Sequence, residues 1–277
     1  MRVAVVTIAR GRRRHLERQA HAVARLDPAP DRYVIVSLDE QPPPDLGEVV
    51  HAPVADGAPL PLAAARNTAI AAAVDADLVL CLDVDCLPER GMLTALTAAA
   101  LQTGHGHLLC GPVGRLGPLP DEAVAPGPGE LAESRTAATT GPRPAPKPGE
   151  LRDEARAELF WSLSFAVAPA THARIGGFDE GYVGYGAEDT DYGFRARREG
   201  VRLTWVGGAW AHHQHHAVSD PPVEHVQDIV RNARRFRERW GTWPMEGWLT
   251  AFAALGLVDW EPDGDRLALA AVVASGA

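Results

Sequence analysis

Apolar residues along this chain recur at two periods, and the switches between them predict its elements. Residues 3–8, Val-Ala-Val-Val-Thr-Ile, are a β-branched run bounded by a polar loop, the pattern of a buried strand. Arg10, Arg12, Arg13 and Arg14 follow, and a helix is expected over 15–26, ended by Asp27-Pro28-Ala29-Pro30. Residues 33–38 read as a second strand that stops at Asp39. The alanine-rich stretch 63–74 reads as a helix, and 78–82 as a third buried strand. Strands alternating with helices predict an α/β fold with a parallel or mixed sheet, its ligand site at the carboxyl ends of the strands. Thr7 to Arg14, Asp39 and Asp83 then gather along one edge.

The region 112–148 breaks this rhythm. It holds nine of the chain's 23 prolines in 37 residues and little apolar periodicity, so it is expected to be a mobile loop or lid. Residues 159–169 read as a further strand of the same core, which favours one domain over 1–277. From Pro222 onward Val223, Val226, Ile229, Val230, Ala233, Phe236 and Trp240 recur at spacings of three and four. A second, shorter helix is expected over 248–257. The stretch 222–277 is therefore read as a C-terminal helical extension that closes over the sheet.

Composition narrows the function. With 27 Lys and Arg against 36 Asp and Glu, the formal charge is −9, which argues against a nucleic-acid coat or an anionic-membrane binder. Three cysteines, Cys81, Cys86 and Cys110, match no zinc spacing and cannot all pair within one chain, so a reducing interior is expected. The N-terminal apolar run precedes its basic cluster, the wrong order for a secretory signal. No stretch approaches the roughly 20 apolar residues of a membrane helix. A cytoplasmic location is expected, with peripheral membrane docking left open.

Four clusters carry candidate chemistry. Asp83-Val84-Asp85 directly follows the buried run 78–82, and carboxylates at i and i+2 of an extended segment point to one side. Unpaired there they are costly, and a divalent cation, manganese or magnesium, resolves the conflict; a solvated turn is the plainer alternative. In the segment 176–191, Tyr182 and Tyr185 stand among five glycines before Glu188, Asp189 and Asp191. Acids favour a helix's first turn, yet the shaped loop in front of them is suited to presenting a carboxylate to a sugar. His212-His213-Gln214-His215-His216 is either a solvated patch or the source of one imidazole for the same cation. Arg10, Arg12, Arg14 and Arg66 lie where a phosphate would bind, arginine's fork matching its oxygens.

In their order these motifs resemble family 2 glycosyltransferases of the GT-A fold, a Rossmann-like mixed sheet flanked by helices. The resemblance covers about residues 1–217. Within it, residues 160–195 are most similar to the C-terminal motif of β-1,4-galactosyltransferases and polypeptide GalNAc-transferases. The resemblance implies an inverting hexosyltransferase with a nucleotide-sugar donor, a UDP-sugar in the first instance, and a metal ion, manganese or alternatively magnesium. It implies an acceptor hydroxyl on a glycan, lipid-linked sugar, peptide or small metabolite, and no nucleic acid. Thr7, Arg10 and Asp39 match positions that hold the nucleoside, Arg66 one that approaches the diphosphate, and Asp83 one near the ribose or sugar. Asp85 and His213 match metal ligands, the histidine register being ambiguous by a residue or two. Asp189 matches the catalytic base, Glu188 a residue orienting the acceptor, and Trp161 and Tyr185 its platform. Two other functions fit the residues less well. A nucleotidyltransferase would want a better glycine-rich loop than Ala9-Arg10-Gly11-Arg12, and a silent nucleotide- or carbohydrate-binding module has no need of a base.

Overall fold

The β-branched run near the start of the chain becomes the central strand of a mixed sheet. A computed structural model describes residues 1–43, 45–138, 142–217 and 219–271. In chain order the elements are β1 (Val3–Ala9), α1 (Arg13–Val23), β2 (Arg32–Ser37), β3 (Glu48–His51), α2 (Leu62–Ala72), β4 (Leu78–Asp83), β5 (Cys86–Pro88), α3 (Met92–Thr103), β6 (His107–Cys110), β7 (Val113–Arg115) and α4 (Pro128–Ala138). There follow β8 (Leu151–Glu154), β9 (Ser164–Val167), α5 (Pro169–Ile175), α6 (Glu188–Arg198), β10 (Arg202–Val206), β11 (Ala211–His213), α7 (Val226–Trp240), α8 (Glu246–Ala254), β12 (Val258–Trp260) and β13 (Leu267–Leu269).

The main sheet runs β3-β2-β1-β4-β9-β6-β10-β8. Its first four strands are parallel, β9 is antiparallel to both β4 and β6, and β8 closes the far edge antiparallel to β10. Strand β1 needs apolar residues at nearly every position because helices cover both faces of the sheet. One face packs Val34, Val36 and Phe165 against Ala65, Ala69 and Ile70 of α2 and Tyr192 of α6. The other packs Val5, Leu80 and Leu109 against Met92, Leu93 and Leu96 of α3. The chain order reverses between β1 and β4, and there the register sets Thr7 beside Leu82 and Ile8 beside Asp83. Crevices outside the strand ends bind ligands at such a point. A second sheet, β5-β11-β7, stands over that end.

The structure departs from the sequence reading in three places. The segment 112–148 contains β7 and α4, although three of its residues, 139–141, lie outside the described set. Helix α4 has no apolar face to announce it and is held by polar contacts instead. Arg135 donates to both carboxylate oxygens of Glu89 at 2.7 and 2.6 Å, and the His212 ring bridges Ser134 and Glu89. Gly114 allows the approach, since a Cβ there would meet the Ser134 Oγ at 2.2 Å. The strand expected over 159–169 starts at Ser164, after a 3-10 turn at Ala157–Leu159. Helices α7 and α8 do not close over the sheet. They build a separate apolar cluster, Val226, Ile229, Val230, Trp243, Leu249 and Phe252, completed by the β12–β13 hairpin. Residues 272–277 of the expected extension lie outside the described set.

Candidate active site

The turn that carries Asp83 and Asp85 is pinned from below. Gln19 of α1, fully buried, donates to the carbonyls of Asp83 at 2.7 Å and Cys86 at 2.9 Å, and Tyr33 donates its hydroxyl to Gln19. Strand β11 pairs antiparallel with β5, setting His213 opposite Cys86, and the Gln214 N–H donates to the Asp85 carbonyl at 2.7 Å. That pairing brings two imidazoles to one carboxylate. His213 Nε2 lies 3.4 Å from Asp85 Oδ1, and His216 Nε2 lies 3.4 Å from Oδ2. All three donor atoms fall within 4.8 Å of one another. Arg12 approaches the same carboxylate at 3.3 Å. Burial works to raise Asp85, but His216, His213 and Arg12 outweigh it and hold the group below its usual range. Burial also lowers His213, which favours the neutral ring that a ligand must present. Two imidazoles and one carboxylate suit manganese or a later transition ion better than magnesium, which prefers oxygen.

Beside this triad stands a second acidic group. Arg66 of α2 is buried; it donates to Glu188 Oε1 at 2.9 Å and to Asp83 Oδ1 at 3.2 Å. Glu188 Oε2 is buried without a partner. Asp189 accepts the Thr190 N–H at 2.6 Å and the Thr190 hydroxyl at 3.3 Å through Oδ1 alone. Burial first, then the charge of Glu188, pushes Asp189 up to about 7, with Arg66 opposing. Burial likewise pushes Asp83 up to about 6 against the pull of Arg66. Asp83, Asp85, Glu188 and Asp189 thus share two contacting guanidiniums, Arg66 and Arg12. The excess of acids over guanidiniums fits a divalent cation.

Other expected residues are placed more variously. Thr7 lines a small pocket with Arg66, Asp83 and Ser162, and its buried hydroxyl has no partner. Arg10 turns away, to the Ala55 carbonyl and Asp56, leaving Arg12 at the acids. Asp39 accepts the Gly11 N–H at 2.7 Å and so shapes the loop after β1. Trp161 is half-buried under Arg143, whose guanidinium carbon lies 5.1 Å from the ring centre. Tyr185 is exposed and stacks on His225 at 4.6 Å, with Trp248 5.9 Å away. Gln19 and Arg143 were not singled out from the sequence, whereas Arg12 stood among the phosphate-facing arginines and His216 among the histidines whose register was left open. Neither Gln19 nor Arg143 left a trace there.

The extension holds the loop that leads to Asp189. Asp191, fully buried, accepts two bonds from Arg239 at 2.9 and 3.1 Å and one from Trp240 Nε1 at 2.8 Å. Arg235 and Arg239 pair with Asp179, Asp228 accepts the Tyr185 N–H, and Asn232 donates to the carbonyls of Val183 and Tyr185. Gly184 (φ +74°) is required where Asp228 closes in, since a Cβ would meet its carboxylate at 2.1 Å.

Comparison with solved structures places this architecture. The chain superposes on a crystal structure of GalNAc-T7 with UDP, GalNAc and Mn2+ at a TM-score of 0.56 and 15% identity, over 92% of this chain and 57% of that one. It superposes on S. aureus TarS 1-349 in complex with UDP at 0.54 and 14%, over 84% and 64%. A family profile described as the N-terminal domain of galactosyltransferase matches residues 154–217. The chain has the GT-A fold. Validoxylamine A glucosyltransferases from two subspecies of Streptomyces hygroscopicus, jinggangensis (strain 5008) and limoneus, are each 31% identical over 81 residues, 28% of this chain. Those matches span 18% and 17% of the relatives' own lengths. In this GT-A chain the profile match takes in β9, α6, β10, β11 and His216, but not β1, β4 or the Asp83–Asp85 turn. No helix among the described residues is long and apolar enough to cross a membrane.

Proposed function

We propose that this chain is an inverting, metal-assisted glycosyltransferase that moves a sugar from a UDP-sugar to an acceptor hydroxyl. The observation that carries the reading is the pairing of two unlike sites. A metal-fit triad, Asp85, His213 and His216, adjoins an acidic group whose outermost member, Asp189, titrates near neutrality. The UDP and Mn2+ bound in similar structures support the donor and the ion. Asp85, His213 and His216 would hold the ion, which supplies charge neutralisation on the departing diphosphate. Thr7, Arg10, Asp39, Arg66 and Asp83 form the donor side. On the other side the acceptor hydroxyl attacks the anomeric carbon as the sugar–phosphate bond breaks, so the configuration inverts. Asp189 takes the hydroxyl proton, and a pKa near 7 suits a base at neutral pH. Glu188, fixed through Oε1 by Arg66, turns its free Oε2 to the acceptor, with Trp161 and Tyr185 as walls.

Two further readings belong here. We place the protein in the cytoplasm on its three buried, free cysteines. We keep the 112–148 segment as a lid, because polar contacts that can open in water hold α4; donor plus acceptor should slow proteolysis there. Calorimetric titration with UDP and GDP, each with and without Mn2+, tests the main proposal. UDP binding that requires Mn2+ supports it, and preference for GDP changes the donor. Nucleotide affinity indifferent to the ion refutes the metal-assisted step.

A further inference from the structure

Arg143 is the unexplained charge of this site. It sits between two indoles, its guanidinium carbon 5.1 Å from the centre of Trp161 and 4.8 Å from that of Trp205. Stacking satisfies the faces of the guanidinium and leaves its edge. On that edge Nε and Nη2 are buried, and neither has a hydrogen-bond partner among the described residues. These two N–H groups point the same way, and together they form the side-on fork that receives two oxygens of one carboxylate or phosphate. A buried, unpaired charge is expensive, and such a group calls for an occupant.

The surroundings say what kind and from which side. Arg115 is exposed, makes no ion pair among the described residues, and stands close enough to repel Arg143. Two like charges near each other, neither with a contacting counter-ion among the described residues, make an anion site. The carboxylate that acts on Arg143 through space is Asp189, and it makes no contact with it. Trp161 precedes Ser162, which lines the pocket of Thr7, Arg66 and Asp83. The electrostatic reach between Arg143 and Asp189 puts the fork on the base side of the site. It is carried by residues 142–148, which follow α4.

We propose that Arg143 recognises an oxyanion, a phosphate or carboxylate, borne by the acceptor next to the hydroxyl that reacts. This rests on the glycosyltransferase reading and narrows it to acidic acceptors. Arg115 adds to the field from the surface, and the two indoles hold the fork at a fixed angle, so binding spends little ordering entropy.

The test is calorimetric titration of glycerol 3-phosphate, with glycerol as the neutral control, into protein saturated with UDP and Mn2+. Saturation fills the donor's own phosphate sites and, by showing UDP binding first, separates failure of this inference from failure of the functional reading. The expected result is measurable binding of glycerol 3-phosphate, none of glycerol, and at least a tenfold loss in Arg143→Gln with UDP affinity unchanged. Arg143→Lys keeps the charge without the fork and should lose affinity by a smaller factor; it replaces the glutamine variant if that one does not fold. Equal affinity in wild type and variant, or no binding to the wild type, overturns the proposal. A parallel loss of UDP affinity in Arg143→Gln also overturns it, by assigning the fork to the donor's diphosphate.

Discussion

Replacing Asp189 by Asn should make this protein more stable while removing its activity, and the gain should depend on pH in one direction. The amide oxygen can accept the same Thr190 N–H and hydroxyl bonds, so the local shape survives. What changes is charge. Burial and Glu188 push the Asp189 carboxyl from an ordinary 3.8 up to about 7. The folded state thus binds a proton that the unfolded chain releases, and ionising Asp189 opposes folding. Well below pH 3.8 both states are protonated and the penalty is absent; it grows as pH rises and is complete above about 7. At about 1.4 kcal/mol per pH unit, the span corresponds to roughly 4 kcal/mol at pH 8, an upper figure because Glu188 and Asp83 share it. We expect Asp189→Asn to gain at least about 2 kcal/mol at pH 8, a rise of about 4 °C or more in melting temperature, and no more than about 1 kcal/mol at pH 4.5. Urea and thermal unfolding from pH 4.5 to 8.5, with chelator present so that no cation offsets the charge, measure this directly. A gain of equal size across that range would refute the reasoning, because better packing alone carries no pH dependence. Transfer by the wild type should rise with pH through about 7, and the variant should lose it at every pH.

The other predictions concern the groups around that base. His213→Ala and His216→Ala should each weaken Mn2+ binding at least about tenfold in calorimetry; full affinity in either variant removes that ring from the ligand set. Arg66→Met strips the shared partner from Asp83 and Glu188 and should cost about 3–5 kcal/mol in urea unfolding at pH 8. Adding Glu188→Gln to that background should return part of the loss, and no recovery would mean that Arg66 matters only through packing. Asp191→Ala leaves Arg239 and the Trp240 N–H without their acceptor and should cost about 3 kcal/mol. It should also speed proteolysis between residues 222 and 271; unchanged cleavage would show that the extension's apolar cluster holds on its own.

Much of this fold is legible because its strands obey simple patterning. Residues buried on both faces must be apolar, and β1, β2 and β4 read as such within a residue or two of their observed ends. Helix α4 was not legible, since periodicity reports only helices that bury an apolar stripe and this one is held by Arg135 and Ser134. The extension misled for a related reason. Its stripe is real, but a stripe announces that a helix packs without saying against what, and the partner here is α8 with the β12–β13 hairpin.

The site divides along the same line. Groups whose chemistry depends on neighbours in sequence, the Asp83–Asp85 turn and the acids opening α6, were visible in one dimension. Those that depend on pairing between distant strands were not. His216 reaches Asp85 only because β11 lies antiparallel to β5 in one register, and a slip of one residue would carry His212 into the place of His213 and turn His213 to the opposite face. The doublet on each side of Gln214 made that register unreadable in advance, and the Gln214 N–H bond to the Asp85 carbonyl is what selects it. Arg12 displaces Arg10 from the acids by the same logic, because the Gly11 turn held by Asp39 decides which arginine faces the cation site. Local chemistry names the residue types that a reaction needs; hydrogen bonds between segments far apart in sequence decide which copy of each type arrives.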